Sequence, residues 1–177
     1  MRICTALRAA PSSRDLGAAV RARARASWRA LLDAGSPEAA LAALGTFRFL
    51  CAHRVGPWGA TRLSAELAPL RGGPRGPGSP VMVTVNDPAN DLFNGDTGVW
   101  WAGDSGPGAV FAGGSGVRRF SAGRLPPNEA AWALTVHKSQ GSEFDEVVLV
   151  LPDRDSPLLT RRSEERRVGK ECRSRWS

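Results

Sequence analysis

Residues 135–144 read Thr-Val-His-Lys-Ser-Gln-Gly-Ser-Glu-Phe, and the segments on either side of them decide the fold. Before them stands the apolar run Ala-Trp-Ala-Leu at 131–134, and after them Val-Val-Leu-Val-Leu at 147–151, closed by Pro152. Two short apolar runs joined by a polar connection predict buried strands of a parallel α/β sheet. Within the connection Thr135 is placed to N-cap a short helix that Gly141 would end. Such a helix start exposes backbone N–H groups. With the Thr135 hydroxyl, His137 and Lys138 they could hold a phosphate of a nucleic-acid strand. Glu143 adds a carboxylate acceptor. Taken singly, each residue has an ordinary structural reading as a capping threonine, a surface His-Lys pair or a C-cap glycine.

Upstream, residues 81–125 alternate short apolar runs at 81–85, 99–102, 109–112 and 117–120 with glycine-rich turns, and Asn94-Gly95 reads as a hairpin turn. A small β-barrel is expected there. It follows residues 71–80, Arg-Gly-Gly-Pro-Arg-Gly-Pro-Gly-Ser-Pro, which read as a linker. Residues 47–52 (Phe-Arg-Phe-Leu-Cys-Ala) predict a buried strand, 53–59 a loop and 60–70 a helix. Residues 14–45 have helical spacing, with Trp28, Leu31 and Leu32 on one stripe, a Ser36-Pro37 start, then Ala40, Leu41 and Leu44 on another. The Arg21, Arg23, Arg25, Arg29 series is their solvated face, with a phosphate-binding stripe as the alternative.

The chain has 177 residues, room for one domain carrying a small insertion. Its 24 Lys+Arg against 17 Asp+Glu give a formal charge of +7, which favours encounter with polyanions such as nucleic acid. Cys4, Cys51 and Cys172 lie far apart, with no CxxC pair and two histidines in the chain, so neither a zinc site nor a disulfide framework is expected. No apolar run approaches the roughly 18 residues that span a membrane, and no signal peptide is recognisable. The expectation is a cytoplasmic protein with no membrane partner.

The ten residues in order resemble motif V of superfamily 1 helicases, and their wording is most similar to the RecD-like group. Two further stretches resemble the same family: Leu-Cys-Ala-His-Arg-Val-Gly-Pro-Trp-Gly at 50–59, like its motif IV region, and residues 80–101, like the entry into an SH3-like insertion. The resemblance covers roughly residues 25–161. It implies the second RecA-like motor domain of a P-loop NTPase fold, with a parallel sheet and a small SH3-like β-barrel inserted at 81–125. Residues 1–80 would supply a helical segment and the first part of that domain, and 126–161 the return carrying motif V. It further implies Thr135 and His137 as single-stranded DNA contacts, which Lys138 joins on the phosphate reading given above, and Gln140, Gly141 and Glu143 as residues facing ATP. Arg54 becomes the candidate catalytic residue, a sensor of the γ-phosphate. Val85 departs from the family, which has Arg or Lys there, and Asn86, Asn94, Gly95 and Asp96 fit the pattern but read as turn residues.

By the same resemblance the parent is an ATP-dependent 5′-3′ DNA helicase, a subunit of a recombination and repair exonuclease (exodeoxyribonuclease V), working with Mg2+ and with other subunits of that complex. The GxxxxGK[ST] loop that would cradle the nucleotide is not in this sequence: Gly169-Lys170 is followed by Glu171 and lacks the upstream glycine. A C-terminal-half fragment, inactive alone, is therefore expected. Residues 162–177 do not resemble the family and match one reading frame of a short-read sequencing adapter. They carry six basic and three acidic residues, so +3 of the +7 is expected to be foreign, a native basic tail being the alternative. Rival readings are a stand-alone RecD-type helicase or conjugative relaxase fragment, and a non-enzymatic single-stranded DNA-binding module.

Overall fold

The computed structural model describes residues 3–8, 13–103, 106–114, 116–140 and 142–151. In chain order its elements are β1 (Ile3–Arg8), α1 (Ser13–Ser27), α2 (Arg29–Leu32), α3 (Pro37–Thr46), β2 (Phe47–Cys51), α4 (Ala60–Leu67), β3 (Pro80–Val83), β4 (Thr97–Trp100), β5 (Gly108–Gly113), β6 (Gly116–Ser121), β7 (Asn128–Ala130), β8 (Ala133–Thr135) and β9 (Glu146–Leu151). Strands β1, β9, β2 and β8 form one sheet in that spatial order, and all three pairings are parallel. The remaining five strands form an antiparallel sheet in the order β6-β5-β4-β3-β7. The expected α/β class, with a parallel sheet and a β-rich insertion, is present.

Sequence alternation along β2 sorts its side chains between two faces. Phe47, Phe49 and Cys51 enter the main core with Val20, Ala24, Trp28 and Leu31 of the helical segment and with Trp132, Val148 and Val150. Leu50 goes to the other face, against Met82, Ala131 and Leu134. Trp28 is fully buried, its ring edge-on to Phe47, Phe49 and Trp132 at centroid distances of 5.0, 5.5 and 5.2 Å. Its indole N–H donates to the Phe47 carbonyl at 3.1 Å. One residue thus ties the helical layer to the sheet by packing and by a polar contact.

The helical spacing expected at 14–45, with a new start at Ser36-Pro37, is three helices. Backbone φ of −100° and ψ of 22° at Trp28 interrupt the first two, and Ser36 starts the third. The Ser36 hydroxyl accepts from the Ala39 amide at 3.2 Å with Pro37 following, the N-cap and N1 arrangement that the sequence announced. Ser36→Ala is expected to lower stability by about 1 kcal/mol, measured by urea denaturation. Ser36→Asp, which can also cap, should lose little.

Residues 71–80 are irregular but tied down. Arg71 donates to the Leu32 and Ala34 carbonyls, Ser79 Oγ to the Gly73 carbonyl at 2.8 Å, and the Arg75 guanidinium lies 4.9 Å from the Trp100 ring centroid. The segment expected to be a linker closes the α4 end onto the antiparallel sheet. The Asn94-Gly95 pair also differs from expectation. It ends a long strap between β3 and β4, containing a 3-10 turn at Pro88–Asn90, and does not form a two-residue hairpin. No helix among the described residues is long and apolar enough to cross a membrane.

Candidate nucleic-acid interface

Parallel strands present all their carboxyl ends on one side of the sheet, where ligands of open α/β folds bind. The loops leaving β2 and β8 both emerge there, joined by a hydrogen bond from the Val136 amide to the Cys51 carbonyl at 3.1 Å. The β2 loop carries Arg54 and the β8 loop carries His137 and Lys138. Between them lies a crevice of about 260 Å³ whose lining includes Arg54, Glu129, Thr135, His137 and Lys138. Its shape is set from below by α4, whose Ser64 hydroxyl accepts from the Ala133 amide at 3.0 Å.

The Arg54 loop is held by two backbone bonds into the start of α4, from Ala60 to His53 and from Thr61 to Arg54, both 3.0 Å. Gly59 is needed for this closure. A Cβ there would stand 2.6 Å from the Arg54 carbonyl oxygen and the Val55 carbonyl carbon. The Arg54 guanidinium is two-thirds exposed and pairs with Glu129 of β7 at 2.8 Å. Solvent screens such a pair, so it fixes the side chain's direction more than it stabilises the fold.

The β8 loop is one turn and not the short helix expected. Thr135 does act as a cap, its hydroxyl accepting from the Lys138 amide at 3.2 Å and its carbonyl from the Ser139 amide at 3.1 Å. The Gln140 amide bonds back to the His137 carbonyl at 3.4 Å. The amides of Val136, Lys138, Ser139 and Gln140 are therefore already paired. A phosphate here would meet side chains: the Thr135 hydroxyl, which still has a proton to donate, the exposed His137 ring and the Lys138 ammonium. Lys138 Nζ donates to Asn94 Oδ1 at 2.8 Å, and Asn94's own amide donates to Asn86 Oδ1 at 2.8 Å. A neutral amide positions the ammonium without cancelling its charge.

The other expected site residues lie elsewhere. Gln140 and Glu143 are exposed and do not line this crevice, and Gly141 falls outside the described residues, as does the whole 162–177 tail. Thr135, His137 and Lys138 are thus brought together with Arg54, the expected γ-phosphate sensor, whereas Gln140 and Glu143 are not joined to them. Sequence reasoning missed Glu129, a lone acid in no motif, and treated Asn94 as a turn former only. It also passed over Arg48, which is 1 % exposed with its guanidinium 5.2 Å from the Phe144 ring and one nitrogen donating to the Ala131 carbonyl at 3.1 Å. Burial lowers its pKa to about 10. Cys51, also buried, has its thiol pushed up to about 12 and so stays protonated and unreactive at neutral pH. Among the described residues no group of three or more His, Cys, Asp or Glu is placed to hold a metal ion.

Comparison with known proteins bears on these residues. The family model of the UvrD-like helicase C-terminal domain matches residues 130–163, the span that holds β8, the motif turn and β9. The RecBCD enzyme subunit RecD of Mycobacterium tuberculosis is 46% identical over 135 residues, which is 72% of this chain and 24% of that protein. Its counterpart in Mycolicibacterium smegmatis is 44% identical over the same length. The ATP-dependent RecD2 DNA helicase of Deinococcus radiodurans is 33% identical over 127 residues, 66% of this chain and 18% of that one. A Bacteroides Pif1 bound to single-stranded DNA overlays with a TM-score of 0.43 at 16% identity, covering 61% of this chain and 40% of that chain, too loosely to argue from. The chain is RecD-like over most of its length, and it spans about a quarter of the RecD subunits it matches.

Proposed function

We propose that this chain is part of an ATP-dependent 5′-3′ DNA helicase, a subunit of a recombination and repair exonuclease, and that its crevice holds the backbone of single-stranded DNA. The observation that carries this reading is the convergence of Thr135, His137 and Lys138 with Arg54 at the carboxyl ends of β2 and β8. Lys138 would meet one phosphate as a point charge, Thr135 would donate a hydrogen bond to the same or the next phosphate, and His137 would lie beside the strand. Gln140, Gly141 and Glu143 would be the motif's ATP-facing residues.

The residues present fit a nucleotide in one respect only. Arg54 is an anion-seeking side chain held in place by a carboxylate that a γ-phosphate could displace. The β- and γ-phosphate cradle and the carboxylate for Mg2+ would come from a domain with a GxxxxGK[ST] loop, and hydrolysis is not expected of this chain alone. Partner subunits of the exonuclease would complete the enzyme in the cytoplasm.

The binding half of the reading is testable on the chain itself. Lys138→Ala is expected to weaken binding of oligothymidine about fivefold at low ionic strength, and to reduce the slope of log affinity against log salt by about one, as loss of a single phosphate contact requires. An unchanged salt slope would remove Lys138 from the DNA path.

A further inference from the structure

Three large apolar side chains among the described residues are notably exposed: Val55 at 72 %, Val85 at 51 % and Phe93 at 46 %. None of the three lines the crevice itself, but each is close in sequence to a residue that lines it or holds one that does. Val55 follows Arg54, and Val85 and Phe93 lie on the strap between β3 and β4 whose Asn94 holds Lys138. Single exposed apolar residues are ordinary on a protein surface, so the case for Phe93 rests on the turn that holds it and on Asn94 beside it.

Phe93 is exposed on a fixed turn. Its amide donates to Asp96 Oδ2 at 2.8 Å, and its carbonyl accepts from the Asp96 amide at 2.9 Å. Gly95, at φ of +105°, closes that turn and donates to the Val83 carbonyl at 2.9 Å. On the other side Leu92 is fully buried and exchanges two backbone bonds with Asp87 at 2.7 and 3.1 Å. The ring therefore projects from a braced loop, its ordering entropy already lost on folding. Adjacent Cα atoms are about 3.8 Å apart, so the Phe93 backbone lies beside that of Asn94, whose side-chain oxygen accepts from the Lys138 ammonium.

An occupant suited to both groups must be anionic at one end and flat and apolar at the other. A nucleotide of a single strand has that chemistry, with a phosphate for the cation and a base face for the ring. We propose that Phe93 is a base-stacking residue, which takes an unpaired base whose adjoining phosphate lies on Lys138. The proposal rests on the reading of Thr135, His137 and Lys138 as single-strand contacts, and it makes the strap a second wall of the DNA path.

The test uses the chain as it stands, titrated at low ionic strength with oligothymidine and with a base-free strand of the same length. Stacking on an aromatic ring contributes about 1–3 kcal/mol per base. Phe93→Ala is therefore expected to weaken oligothymidine binding at least about fivefold and at most about 150-fold, Phe93→Trp to restore it, and neither to alter binding of the base-free strand. A 5-iodouracil strand should form its photo-adduct on Phe93 in the unsubstituted chain. If Lys138→Ala weakens binding while Phe93→Ala does not, and the adduct falls elsewhere, stacking is overturned and the phosphate contact stands. If the unsubstituted chain binds neither strand, both readings fall together. A Phe93→Ala loss that is equal on both strands would mark a folding defect and also count against stacking.

Discussion

Trp28→Ala is expected to lower the free energy of unfolding by about 3–5 kcal/mol, the range for truncating a large buried aromatic. Three effects add. The indole leaves a cavity between the helical layer and β2 that Phe47, Phe49 and Trp132 cannot fill without leaving their edge-on contacts. The Phe47 carbonyl loses its indole donor in a buried place. The backbone break between α1 and α2, which the Trp28 side chain anchors, loses its fixed point. A domain of this size has about 5–15 kcal/mol in all, so the variant should sit near the edge of folding at 25 °C. Trp28→Phe separates the effects, since it keeps most of the volume and loses the N–H, and about half the loss is expected. Urea midpoints for the two variants and the unsubstituted chain decide the matter, and a loss below about 1 kcal/mol for Trp28→Ala would show that this cluster does not hold the layers together.

The elements legible in the sequence were those whose signals are local. Ser36-Pro37 announces a helix start because the capping hydroxyl and the missing proline amide act within one turn. Strand β2 showed through its short apolar run bounded by turn formers. What stayed hidden depends on partners distant in the chain. Strand β1 pairs with β9 across most of the described sequence, Ile3 opposite Glu146, and nothing within six residues reveals such pairing. Strand β7 is three half-buried residues whose extended state comes from Val81 to Val83.

The candidate site divides in the same way. Its threonine, histidine and lysine were legible as an ordered run in one loop. Glu129 and Asn94 act on that loop from the antiparallel sheet, and their roles exist only once β3, β4 and β7 have folded against the parallel sheet. The helix expected at 136–140 is a turn, with the Ser139 amide on the Thr135 carbonyl and the Gln140 amide on the His137 carbonyl, and the Val136 amide ties its start to Cys51 of the neighbouring strand.

Arg54→Ala, in a full-length RecD-like protein carrying this segment, is expected to lower DNA-stimulated ATP hydrolysis at least about tenfold, the scale for losing one charge-assisted contact made in the transition state. The Arg54 guanidinium is two-thirds exposed, and it pairs with Glu129, a carboxylate on a neighbouring strand end. A phosphate offers the same pair of oxygens with more charge, so exchanging Glu129 for a γ-phosphate leaves the guanidinium with a partner throughout. Arg54→Lys should recover little of the activity, because an ammonium keeps the charge and loses the paired donors. Glu129→Gln supplies the opposing test: removing the competing carboxylate is expected to leave turnover intact or lower the KM for ATP. Glu143→Ala is expected to show a loss like that of Arg54→Ala with single-stranded DNA binding preserved. Normal turnover in both alanine variants would remove ATP from this face of the domain and leave the crevice a DNA contact alone.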